Sequence, residues 1–377
     1  MAKRHRTKPT RFLLASAASL LVTLLMVRAL IMPLFEQQQQ DVYQYRLNSS
    51  AAAIADFIEA RKAEIRSLSN TATLQSMDWA QIRPFLLTQK SIGQRNFEKL
   101  VLGLPNGHFY TTLAGNPHAE NLATFDDASP TAKPKSITQR DYWQVTVGRN
   151  IKNQRIDYVS NPMISYTTGI KQVIVASSIH DDQNNVIGLL GGSISWRKIT
   201  KLIHNLSANS ESSEPPEANE RTKAQGPSKT KEPSKIKAAA AKYMLVSKDG
   251  NYWYHWQPEK VIQVQTDDQG KEILDRRGEK TVELFNILAE KSDSLKSIGR
   301  NMVSGKKGNG QALFDGEEYQ VFFTPISNTN YSLAKAIRLS EYHAPMWQLV
   351  IYLLVAFLAG LFVYIFSVYL IPREPNS

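Results

Sequence analysis

The chain contains no cysteine, which excludes a disulfide framework, a thiolate zinc site and a cysteine nucleophile. Its seven histidines are scattered, and none forms the H-E-x-x-H pattern of a helical metal pair. A nucleophile elbow is also missing. In the run GGSIS the residue two places after Ser193 is Ser195 instead of glycine, so the sharp strand-to-helix turn of G-x-S-x-G cannot form. Gly305 to Gly310 reads GKKGNG, lacks the phosphate-loop spacing and is read as a hairpin loop. These absences leave no enzyme signature, no metal ligand set and no cofactor motif, and the chain is read as a non-enzyme.

Acidic residues are missing from the first 35 positions, while Lys3, Arg4, Arg6, Lys8 and Arg11 crowd the opening. The whole chain carries a net charge of +11 and a pI near 9.5, figures that open a nucleic-acid reading. Position closes it. Phe12 to Phe35 is an apolar run interrupted only by Arg28, long enough to cross about 30 Å of hydrocarbon. Five basic residues before it are a positive-inside label, and no small-x-small cleavage site follows it. Met346 to Ile371 has no charge and carries Trp347, Tyr352, Tyr364 and Tyr369, the aromatic belt of a second crossing. Residues 36–345 then hold 38 basic and 33 acidic residues, a mild surplus, and no nucleic-acid partner is expected. The reading is a two-pass membrane protein. Residues 1–11 and 372–377 are cytoplasmic tails, 12–35 and 346–371 are membrane helices, and the large domain between lies outside the cytoplasm.

Leu47, Ala51, Ile54, Ile58, Ile65, Leu68 and Ala72 recur at helical spacing, with Arg61 at the skipped position. They predict one long stalk helix leaving the membrane, its stripe serving as core contact, as a homodimer seam, or as both. Strands follow. KLVLGLPNGHFYTTL turns at Asn106-Gly107, and HDDQNN separates GIKQVIVASSI from VIGLLGGSISW; both are hairpin signals. Residues 207–240 contain no aromatic residue and four prolines, too little apolar surface to order a chain, and are read as a disordered linker. A second strand block opens with KYMLVSKDGNYWYHW, passes through a polar helical stretch around Val282 to Leu295, and closes with strands turning at Asp315-Gly316 and Asn328 to Asn330. The two blocks are weak internal repeats, which makes the fold class α+β. Its two modules span residues 36–206, including the stalk, and 241–345.

VLGLPNGHFYTTLAG, ITQRDYWQVT and YVSNPMISYTTGIKQVIVASSIHDDQNNVIGLLGGSISW in the first block, with YMLVSKDGNYWYHWQPEKVI and GQALFDGEEYQVFFTPISNTNYSLAKAI in the second, stand in this order between two membrane segments. So arranged, the chain resembles a double Cache sensor domain: two tandem PAS-like antiparallel-sheet modules behind one long helix, as in bacterial chemoreceptors, histidine kinases and diguanylate cyclases. The resemblance covers about residues 36 to 342. It departs from the family in the long 207–240 segment and in the six residues, PREPNS, after the second membrane segment, which hold no output domain. The resemblance therefore implies a sensor of the bacterial inner membrane, its large domain periplasmic, that signals through a separate membrane protein such as a kinase, cyclase or chemoreceptor. The alternative is a periplasmic docking module that regulates a partner without a metabolite.

In that family the ligand lies in the membrane-distal module, under a loop bearing an Arg-x-aromatic-aromatic run. Here the run is Arg140, Asp141, Tyr142 and Trp143. The resemblance gives Arg140 the role of holding a carboxylate, and Tyr142 and Trp143 that of walling the pocket. Tyr166 matches another pocket position, with Thr168 and Lys171 beside it. Ser193 stands where amino-acid-binding members place the aspartate that pairs with the ligand's ammonium. The expected ligand is therefore a small polar molecule bearing a carboxylate and no ammonium, unless Asp141 or Asp157 supplies the missing charge. The other reading of Arg140 to Trp143 is structural, an arginine that pins a loop and aromatics that fill a core. The aromatic run Tyr252 to Trp256 is read as core packing in preference to a cation cage.

Overall fold

The computed structural model describes Val22 and residues 25–92, 96–113, 136–165, 169–212, 242–274 and 281–370. The 1–11 tail, nearly all of the first membrane segment before Leu25, Tyr166, Thr168, most of the 207–240 linker and the 372–377 tail lie outside the described residues.

A π-helical turn at Val27–Ile31 runs into α1, Met32–Ser69, a helix of 38 residues. At 1.5 Å per residue that is about 57 Å of helix. Leu47, Ala51, Ile54, Ile58 and Ile65 are buried on it, as their spacing predicts, and Leu68 is half-buried against the same core. Ala72, the last member of the expected stripe, belongs to a separate turn. Asn70 leaves helical geometry, and Thr71 caps α2 (Ala72–Gln75) by accepting Leu74 N–H at 3.4 Å. Arg61 interrupts the stripe, with its guanidinium over the Phe57 ring and on Glu64. After α2 comes α3, Trp79–Ile92.

Each module is an antiparallel sheet with one face on α1. The distal sheet contains β1 (Lys99–Gly103), β2 (Phe109–Thr111), β3 (Asp157–Val159), β4 (Met163–Ile164), β5 (Lys171–His180) and β6 (Val186–Ser195), in the order β2-β1-β6-β5-β3 with β4 also on β5. Two helices complete the module, α4 (Asp141–Trp143) before β3 and α5 (Trp196–Ser212) after β6. The proximal sheet contains β7 (Lys242–Ser247), β8 (Tyr252–His255), β11 (Gly308–Phe314), β12 (Glu317–Pro325) and β13 (Tyr331–Arg338), in the order β8-β7-β13-β12-β11. A small ribbon of β9 (Ile262–Val264) and β10 (Val282–Leu284) and the helix α6 (Asp293–Val303) are inserted between β8 and β11. Both sheets follow one order, second strand, first, last, penultimate, third, so the weak repeat in the sequence is a repeat of topology. The expected turns occur where predicted, and Gly107, Gly250 and Gly316 take the positive φ that those turns require.

Three expectations shift. The helix near Val282 to Leu295 starts later: Ser292 caps α6 by accepting Leu295 N–H, and the residues before it form β10 and a 3-10 turn. The linker starts later too, because α5 runs to Ser212; Ile199 and Ile203 anchor it to the core, and the helix continues past its last apolar contact. Gly305 to Gly310 is not a hairpin loop, since it connects α6 to β11 and enters that strand at Gly308.

One continuous core joins the modules. The N-terminal half of α1 lies on the proximal sheet, where Tyr43 stacks on Phe322 at 5.4 Å and Gln44 reaches Phe323 O. Its C-terminal half lies on the distal sheet, where Ser69 bonds Ser177. The paired glycines of LLGGSIS make that approach possible, since a Cβ on Gly192 would sit 2.4 Å from Phe97 and 2.8 Å from Ile65. The run Tyr252 to Trp256 packs as core and does more. Trp253 Nε1 donates to Ser160 O at 3.1 Å and Tyr331 OH to Val159 O at 3.0 Å, both across the boundary between modules.

β13 passes directly into α7, Leu339–Leu370, where Leu339–Val363 is long and apolar enough to cross a membrane and is almost entirely exposed. It is the one such helix among the described residues. It starts seven residues before Met346, because Tyr342 is buried against Tyr43 and Phe322 and extends the helix back onto the proximal module.

Substituting Gly192→Val should lower the unfolding free energy by about 2–3 kcal/mol, because the helix-to-sheet contact cannot widen without opening the core. Urea unfolding of the full chain measures it, and a loss within error of zero would contradict the close packing.

Candidate functional site

The face of the distal sheet turned away from α1 carries an unusual row. Lys99 on β1 pairs in register with Ser193 on β6, which pairs with Ile174 on β5; Gln172 lies one step along β5. Strand alternation places Lys99 and Val101 on this face and Leu100 and Leu102 on the helix face. Ile137, Arg140 and Tyr142, from the 136–143 segment and α4, close over the row, and β4 closes its side. The cavity between them has a volume of about 20 Å³, room for one water molecule.

Two cations line it. Lys99 is 4% exposed and donates to Ser165 Oγ at 2.7 Å. Burial first, and then the charge of Arg140, push its ammonium down to about 8. Arg140 occupies the extended cap position of α4 and donates from Nη2 to Ile164 O at 3.0 Å. No acidic residue is among the described residues lining the cavity. Gln172 accepts Ser193 Oγ–H at 2.5 Å, and Tyr142 is buried among Val101, Phe109, Ile137 and Ile174.

Of the residues singled out from the sequence, Arg140 and Tyr142 reach this cavity. Trp143 braces the loop from behind, with Nε1 donating to Leu104 O at 3.1 Å and its ring filling the space above Gly148. Ser193 is one contact removed, touching the cavity through Gln172. Lys171 points away, its Nζ 3.4 Å from Pro258 O in the proximal module. Neither aspartate proposed as a substitute charge lines the cavity. Asp141 accepts the backbone N–H groups of Asn161 (2.6 Å) and Tyr142 (2.8 Å) and the hydroxyl of Tyr158; burial raises its pKa in spite of those bonds. Asp157 is held by Arg66 of α1.

Lys99 was missed because KLVLG reads as an apolar strand. A lysine leading that run and in phase with Val101 was the available signal. Its significance depended on the pairing with Ser193, which composition does not reveal. Among the described residues no three His, Asp or Glu side chains group as a metal site.

No protein-family model matches the chain, and a search of curated protein sequences finds no match. Solved structures do match. The ligand-binding domain of the Pseudomonas fluorescens chemoreceptor CtaA, in complex with L-isoleucine, superposes with a TM-score of 0.52 at 13% identity, over 84% of this chain and 98% of that one. The ligand-binding domain of the Pseudomonas aeruginosa PAO1 amino acid chemoreceptor PctB, in complex with L-Arg, gives 0.50 at 11%, over 82% and 98%. The fold is thus that of chemoreceptor ligand-binding domains. Its two-module arrangement is the one that the resemblance to double Cache domains implies.

The position of Lys99 has a pH signature. Below about pH 8 the folded and unfolded chains both carry its proton, so the full cost of the buried charge is present. Between about 8 and the ordinary 10.5 only the unfolded chain holds the proton, so stability rises with pH, by roughly 3 kcal/mol in all. Lys99→Met should be more stable than the parent at pH 7 and lack this rise. Parallel urea titrations from pH 7 to 10.5 measure the difference, and parallel curves would contradict the assignment.

Proposed function

We propose that the protein is a membrane-anchored sensor whose distal module takes up a small carboxylate-bearing ligand beneath the 136–143 segment. The observation that carries this reading is the pair Lys99 and Arg140 on one cavity with no acidic lining residue among those described. Two cations in a site of low dielectric repel each other, and an anion between them relieves the repulsion while accepting charge-assisted hydrogen bonds. Arg140 grips the carboxylate, Lys99 supplies the second positive charge, Gln172 offers a polar contact and Tyr142 an apolar wall. Tyr166 and Thr168 remain proposed contacts from the family pattern. An α-amino acid fits less well, because its ammonium would meet Lys99 and Arg140 with Ser193 where the resemblance expects an acid.

The ligand acts as a population shift. Entry requires the 136–143 segment to move outward, and that segment is tied through Asp141 to Asn161. The neighbouring carbonyls of Val159 and Ser160 are held by Tyr331 and Trp253. Tyr331 begins β13, which continues into α7, so displacement of the loop bears on the helix that enters the membrane. The output goes to a separate membrane signalling protein, with both chain termini cytoplasmic.

A second reading, docking of a periplasmic protein without a metabolite, draws on the cavity's size, which at about 20 Å³ is closed to metabolites without rearrangement. A calorimetric screen of the full chain in detergent against mono- and dicarboxylates, amines and amino acids separates the two. The sensor reading predicts a carboxylate that binds and an Arg140→Ala variant that binds it about thirtyfold or more weakly. Absence of any carboxylate binding, or an affinity indifferent to Arg140→Ala, favours docking.

A further inference from the structure

The proximal module has its own cavity, on the corresponding face of the repeated fold, away from α1. It lies between β10, the 3-10 turn Ile287–Ala289, the start of α6 and the β11–β12 turn, and has a volume of about 730 Å³. That falls within the range of roughly 300–1,000 Å³ typical of small-molecule sites. Its walls are mostly apolar, from Leu284, Phe285, Leu295 and Phe314.

The charge here is opposite to that of the distal cavity. Glu283, Glu290 and Asp315 line it against Lys260 and Lys291. Lys260 is already paired with Glu290 at 3.4 Å. Glu290 is well placed to act on a ligand: its Oε1 accepts Tyr252 OH at 3.0 Å and Lys260 Nζ, which fixes the carboxylate, and none of the described residues donates to Oε2. Asp315, exposed on the β11–β12 turn, accepts Gln257 Nε2 on Oδ2 at 2.9 Å, and none of the described residues donates to its Oδ1. His255, fully buried on the same sheet face, adds no positive charge, because burial, reinforced by Lys260, pushes its imidazole down to about 3. The start of α6 also reaches this rim, but its capped amide, Leu295 N–H, is taken by Ser292 Oγ.

We infer that this proximal cavity is a second ligand site, for a small amine with an apolar body, its ammonium bound by the open oxygens of Glu290 and Asp315 and its body against Leu284, Phe285, Leu295 and Phe314. The site is independent of the distal one in position and in charge. It would give the protein two inputs of opposite sign on one stalk.

The test is calorimetry of the full chain in detergent with 2-phenylethylamine, and with 2-phenylethanol as the uncharged counterpart. The amine binds saturably at one site and the alcohol at least about tenfold more weakly. Glu290→Gln weakens the amine by about tenfold or more. Ala289→Trp, which fills the cavity from its exposed rim without touching the core, abolishes binding even where Glu290→Gln folds poorly. Arg140→Ala leaves it unchanged. The inference is overturned by no saturable binding up to about 10 mM, by equal binding of the alcohol, by indifference to Ala289→Trp, or by loss of binding in Arg140→Ala, which would move the amine to the distal module.

Discussion

The buried stripe of α1, from Leu47 through Ala51, Ile54 and Ile58 to Ile65, is the surface on which the molecule is assembled. A sheet with one apolar face must cover it, and here two sheets cover theirs with one helix. The consequence is mechanical. The modules share a core, so neither turns about the helix without opening contacts such as Ile65 on Gly192 or Tyr43 on Phe322. The faces left free are the ones turned away from α1, and both cavities lie there.

On those free faces the two modules, alike in strand order, diverge in charge. The distal cavity is narrow and lined by a buried lysine and an arginine; the proximal one is wide and lined by an excess of carboxylates. A buried ammonium held near pH 8 is an unfavourable arrangement that a fold retains when something relieves it, and pKa values displaced in this way concentrate at functional sites. Asp141, next to Arg140, feels its charge but does not line the cavity, and it is bonded to Asn161, Tyr142 and Tyr158. Those bonds make the loop over the cavity rigidly continuous with the boundary between modules.

Much of the fold was legible because its signals are local. The 3-to-4 spacing along α1, the Asn-Gly and Asp-Gly turns and the apolar run of α7 each depend on residues near in sequence, and the structure places them as read except that Ala72 falls in α2 and α7 reaches back to Leu339. The helix after Val282 was placed too early because its true cap, Ser292, competes with the earlier apolar residues, which fold as β10 and a 3-10 turn. The lining of the candidate cavity was half legible. Arg140 and Tyr142 belong to a recognisable run, whereas Trp143 and Lys171 have the right chemistry and point elsewhere. Lys99 and the charge reversal between cavities depend on strand register and on contacts between distant segments, which no local pattern encodes. Trp253 carried the same ambiguity: its aromaticity predicted burial, and only the packing of two modules made it a hydrogen-bond bridge.

The central claim is that Lys99, buried beside Arg140, has its ammonium pushed down to about 8, and that a bound carboxylate would raise it again. Titrating the reductively ¹³C-methylated lysines of the full chain by NMR, with Lys99 assigned from the Lys99→Met spectrum, tests it directly. The account predicts one lysine with a midpoint near 8, moving back toward the ordinary lysine range when a bound carboxylate is present. A Lys99 resonance that titrates with the surface lysines near 10.5 in the ligand-free protein would contradict it.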